Sequence, residues 1–136
     1  MKKGEDESGK CKRMTHHIVK IPKSVFFIDY SDIDITDNGR IAISSQENSE
    51  VWIGKTIFIS NGIIDPDNFG FDEKASSKSL RFPKNSECHT IYCNVEGIHW
   101  MNSEMLLAVS DKMKSRGRQD FRCLDKDQSI HAFVLP

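Results

Sequence analysis

Residues 31–44 read SDIDITDNGRIAIS. The first run, Ser31 to Thr36, places Ile33 and Ile35 on one face. The second, Arg40 to Ser44, does the same with Ile41 and Ile43. A period of two belongs to a β-strand with one covered face. Asp37-Asn38-Gly39 separates the runs, and these residue types tolerate the positive φ that tight turns demand. The stretch therefore predicts a β-hairpin. Its other face carries Asp32 and Asp34, and Asp29 and Asp37 extend the row at either end. That acidic row reads as a solvated strand face and as a candidate landing site for a basic peptide.

The neighbouring segments continue the strand pattern. Upstream, His17–Ile21 stops at Pro22, and Ser24–Asp29 is short and rich in β-formers. The run Val25-Phe-Phe-Ile28 followed by acids also looks like a segment that docks on a small modifier protein. As a strand of the domain's own sheet it has the simpler reading. Downstream, Val51–Ser60 predicts one long strand with Val51, Ile53, Ile57 and Ile59 on one side, and Asn61-Gly62 predicts a turn back into Ile63-Ile64. Residues 65–78 predict a long loop. Ser79–Phe82, Cys88–Val95 and Ser129–Leu135 predict further strands, and Gly97–Trp100 either ends the Cys88 strand or begins another.

One stretch departs from this period. Asn102 or Ser103 suits an N-cap, and Glu104 falls where the helix dipole favours an acid. Met105, Leu106, Val109 and Met113 recur at helical spacing, and Gly117 supplies a stop. These features predict an amphipathic helix near 102–116. The fold class expected is α+β and mostly β: a bent antiparallel sheet or small barrel with that helix over one end. Short strands close in sequence favour antiparallel pairing, because parallel crossovers need about a dozen residues each.

The segments SLRFP (79–83) and ECHTIYCNVEGIHW (87–100) resemble the strand-turn-strand ladder of pleckstrin-homology-like barrels embedded in larger nuclear proteins. The resemblance spans the middle two-thirds of the chain and rests on strand order. It implies a protein- or peptide-binding role more than catalysis. The strand at 129–135, after the predicted helix, departs from that family's pattern, which ends in a helix.

The 136 residues suit one domain, and no apolar run approaches the roughly 20 residues of a membrane span. The net charge of -1 conceals segregation. Residues 1–24 carry seven Lys/Arg against three acids, residues 25–76 three against ten, and residues 77–136 nine against seven. Such a balance argues against a general polyanion binder. Residues 1–15 read as a disordered charged leader and 16–136 as a single β-rich domain. No apolar stretch follows the basic residues of the leader, so Cys11, Cys88, Cys93 and Cys123 are expected as reduced thiols in the cytosol or nucleus.

Chemistry-bearing patterns are sparse. Cys88, His89, Cys93, His99, Cys123 and His131 lack zinc spacing, since no Cys-x-x-Cys pair occurs. Asp65, Asp67 and Gly70 match the first, third and sixth positions of a calcium loop, but Phe69 and Ser76 occupy the fifth and twelfth. No phosphate-binding loop, dinucleotide fingerprint or serine-nucleophile elbow is present. No metal and no cofactor are expected. The leading reading is a non-enzymatic protein-interaction domain of a larger intracellular protein, presenting either an edge strand or the acidic hairpin face. Its candidate partner-binding residues are Asp32, Asp34 and Asp37 and, separately, Lys114, Arg116 and Arg118. The alternatives are a nucleic-acid-binding module using that basic helix end, with Lys112 and Arg122, and a small enzyme with a site built from Cys123 and His99 or His131.

Overall fold

The computed structural model describes residues 14–84, 86–88, 95–110 and 129–136. They form ten strands: β1 (Asp32–Ile35), β2 (Arg40–Ser45), β3 (Glu50–Ile57), β4 (Ile59–Ser60), β5 (Ile63–Ile64), β6 (Gly70–Phe71), β7 (Lys78–Arg81), β8 (Val95–Asn102), β9 (Met105–Ser110) and β10 (Ser129–Val134). Every pairing is antiparallel. The larger sheet runs β1-β2-β3, with β6 and β7 both pairing to β3. A second sheet runs β10-β9-β8, and β4-β5 is a separate hairpin.

The hairpin read from residues 31–44 is present in the expected register. Ile33 faces Ile43 and Ile35 faces Ile41. Its turn closes through Gly39 N–H donating to the Thr36 carbonyl at 3.0 Å, while Arg40 N–H donates to Thr36 Oγ1 at 2.9 Å. Gly39 has φ 91°, outside the range L side chains readily adopt. The second turn, Asn61-Gly62, has consecutive positive φ values of 50° and 76°, the signature of a type I′ hairpin turn. Gly62 N–H donates to the Asp37 carbonyl at 3.0 Å, which joins the two turns.

Two apolar clusters lie on opposite faces of the larger sheet. Ala42, Val51, Ile53 and Phe82 meet Val95, Ile98, Trp100, Leu106 and Ala108 of the second sheet. On the other face Ile41, Ile43 and Trp52 pack with Val25, and half-buried Phe27, Ile35 and Phe71 lie against them. Strand β3 is thus covered on both sides, which explains its apolar residues at successive positions. The row that alternation assigned to the outside, Asp32 and Asp34, shares its face with Ala42, whose cluster joins the two sheets.

Several expectations are corrected. No helix occurs among the described residues. Residues 102–110 of the predicted helix form the end of β8, a two-residue turn and β9; residues 111–116 lie outside the described residues. Asn102 Oδ1 accepts the Glu104 N–H at 2.8 Å. Asn thus caps this turn by the same local bond that would have started a helix. None of the described sheets closes into a barrel. His17–Ile21 and Ser24–Asp29 are not strands; Val25 and Phe27 turn inward while Phe26 and Ile28 remain exposed. The long strand expected at 51–60 breaks at Phe58, whose φ is 60°. The loop expected at 65–78 includes β6, bonded to β3. The body of the Cys88–Val95 strand and most of the charged leader, residues 1–13, lie outside the described residues.

Ser44 is fully buried, and its Oγ has no hydrogen-bond partner among the described residues. An unsatisfied buried hydroxyl is a cost that its removal relieves. Ser44→Ala is therefore expected to raise stability by about 1 kcal/mol in urea denaturation. A loss of similar size would show that the hydroxyl is satisfied after all.

Candidate functional site

The acidic row is the natural starting point. Asp32 Oδ2 accepts the backbone N–H of Ile98 at 2.8 Å, and Asp34 Oδ2 accepts that of Trp100 at 2.6 Å. The Trp100 indole N–H donates to the Asp34 carbonyl at 3.2 Å, and His99 Nδ1 lies 3.1 Å from Asp34 Oδ2. Strands β1 and β8 share no backbone ladder, so the two carboxylates take the place of the carbonyls that a neighbouring strand would offer. Both side chains are half-buried.

Asp29 is engaged differently. It accepts from the Ser45 hydroxyl and from the Glu47 N–H, fixing the 46–49 turn. Asp37 remains exposed at the hairpin tip. Lys114, Arg116 and Arg118, with Lys112 and Arg122, lie outside the described residues. Asp32 and Asp34 thus line the junction with β8, while Asp37 lies in the turn beside Gly62.

Of the candidate catalytic groups, only the two histidines are described. Cys123 lies outside the described residues. Strand register places His131 opposite Ala108, on the inward face, and His99 opposite Leu107, on the outward face. His131 Nε2 is 3.1 Å from the Ser110 hydroxyl. Cys88 is an exposed free thiol. Among the described residues, no three His, Cys, Asp or Glu side chains gather as a metal site. In the acidic loop the Asp65 carboxylate accepts from the Asn68 side chain at 2.8 Å and from the Asp67 N–H at 3.1 Å. The Asn68 bond, with the Asp67 N–H behind it, holds the Asp65 carboxyl below its usual value. The loop's acid therefore serves its own turn.

The feature that sequence patterning does not single out is the outward face of β8-β9-β10. One row across the sheet is Ile130, Val109 and Gly97, and the next is Ala132, Leu107 and His99. Val134 stands opposite Met105 in a third. Ile130 and Val134 are 71% and 70% exposed, and Met101 and Val109 are 55% and 47% exposed. A shallow hollow of about 230 Å³ lies among Asp32, Gly97, His99, Val109 and Ile130. One sequence signal for this face existed. Residues 130–135 are apolar on both alternating sets, with only His131 polar, and a strand of that kind is usually covered on both sides.

Strand β10 is also an edge among the described residues. Leu135 N–H donates to the Glu104 carbonyl. By alternation, Ile130, Ala132 and Val134 turn their backbone N–H and C=O groups away from β9. Among the described residues, an unpaired edge and an apolar face therefore meet on one strand.

No described helix is long and apolar enough to cross a membrane. Compared with known protein families, curated proteins and solved structures, the chain finds no match in any of the three.

Proposed function

We propose that the chain is a non-enzymatic protein–protein interaction domain of a larger intracellular protein, and that its partner covers the outward face of β8-β9-β10. The supporting observation is that Val109 and Ile130 stand side by side at high exposure, with Val134 on the same face of β10. Soluble proteins rarely leave such apolar patches facing water unless something docks on them. The open edge of β10 adds a second handle, because an incoming extended segment can extend a sheet by backbone bonds while its side chains meet the apolar face. The acidic-face version is the weaker of the two, since Asp32 and Asp34 already hold backbone groups of β8.

A photoreactive side chain placed at position 130 tests this reading in cells. It is expected to give a discrete protein adduct whose yield falls by about tenfold with Val109→Lys, a loss typical of a central contact. Val109 is half-exposed, so the variant is expected to fold normally by circular dichroism. Equal adducts from position 130 and from exposed Lys74, on the far loop, would contradict the proposal.

A further inference from the structure

Arg40, Lys55 and Lys78 stand together on one face of the larger sheet. Arg40 and Lys55 are direct cross-strand partners. Lys78 pairs with Ile53, two residues from Lys55. Directly paired residues project to the same side, and residues two apart on a strand share a face. A cleft of about 430 Å³ opens beside them, lined also by Asn38, Ser76 and Ser77 and by no acid.

Like charges directly opposite each other destabilise a sheet. The pairing is the more unexpected because residues 25–76 hold ten acids and only three bases, two of which are Arg40 and Lys55. Two of the three cations already make contacts. The Arg40 guanidinium lies 5.0 Å from the centre of the Trp100 ring and donates to the Ser103 carbonyl. Lys78 Nζ donates to the Pro136 main-chain oxygen at 3.1 Å. Neither Arg40 nor Lys55 has an ion-pair partner among the described residues.

We propose that this cleft binds a small, multiply charged phosphate compound. The cations supply the charge, and the Ser76 and Ser77 hydroxyls and the Asn38 amide supply donors of a type that suits phosphate oxygens. The cleft falls within the usual size of small-ligand sites, about 300–1,000 Å³. A nucleic-acid strand would instead use a longer basic track interleaved with aromatic platforms, and the lining of this cleft contains no aromatic residue.

Calorimetric titration with inorganic triphosphate at low salt tests the proposal. One molecule is expected to bind per chain, with orthophosphate at least about tenfold weaker, because fewer charge-assisted contacts form. Lys55→Gln and Lys78→Gln are each expected to weaken triphosphate about tenfold. Lys55→Glu is expected to abolish binding while leaving the ligand-free melting temperature unchanged or higher, since it turns a like-charge pair into an opposite one. A merely structural role would not separate those two readouts. A nucleoside triphosphate that competes with inorganic triphosphate at equal or higher affinity also supports the site. Absence of triphosphate binding, indifference to both Gln variants, or preference for a long single-stranded oligonucleotide over triphosphate would overturn it.

Discussion

Asp34→Ala is expected to lower the stability of the domain by about 3 kcal/mol in urea denaturation. The Asp34 carboxylate accepts the Trp100 N–H at 2.6 Å, so its loss strands a backbone donor at the junction of the two sheets. Orphaning such a group costs about 1–3 kcal/mol, with charged partners at the upper end. The His99 contact adds little, because that imidazole is largely exposed. Trp100 itself is buried in the cluster shared by both sheets, so any shift of β8 propagates into the core. Asp34→Asn keeps an oxygen acceptor and is expected to cost about 1 kcal/mol. Were Asp34 an ordinary solvated strand residue, Asp34→Ala would stay within about 0.5 kcal/mol of neutral.

The second large effect lies at the hairpin turn. Gly39→Ala is expected to destabilise by about 2–4 kcal/mol, read as a lower denaturation midpoint with an unchanged slope. Two independent penalties combine. An L side chain at φ 91° is strained, by about 1–2 kcal/mol for comparable left-handed conformations. A Cβ at this position would also stand 2.6 Å from Ile59 Cγ2 and 2.9 Å from Thr56 Oγ1. The neighbourhood cannot yield easily, because the Gly39 carbonyl accepts both the Thr56 N–H and the Thr56 hydroxyl at 2.8 Å. A change under 0.5 kcal/mol would mean that the turn rearranges freely and does not organise the β4-β5 hairpin beside it.

Local chemistry made part of this fold legible in the sequence. Alternation around Asp-Asn-Gly fixed both the strands and the register of β1 and β2, because a one-residue slip would reverse every side chain. Asn61-Gly62 and the terminal strand were readable for similar reasons. The stretch from Asn102 was misleading because its signals are shared. Asn caps a helix start and a hairpin turn by the same bond. Met, Leu and Ala favour helices locally, yet Leu106 and Ala108 are buried between strands that overrule that preference. The acidic row shows a different limit. Alternation tells which residues share a face but not what lies across from that face, and here a second sheet supplies bare N–H groups to the carboxylates. The outward apolar face left only the run 130–135 as a signal, and the cation cluster left none, because β10 joins β8-β9, and β7 joins β2-β3, only in the fold.

The central physical claim is that carboxylate side chains of β1 stand in for a backbone ladder to β8, which commits Asp32 and Asp34 to structure. Amide hydrogen exchange followed by NMR tests it most directly. The Ile98 and Trp100 amides are expected to exchange slowly in the unmodified protein. In Asp34→Ala under native conditions, Trp100 is expected to lose protection selectively while the amides of Ile43 and Trp52 stay slow. Rapid exchange of Ile98 and Trp100 in the unmodified protein, with β2 and β3 protected, would show those N–H groups open to water and contradict the account.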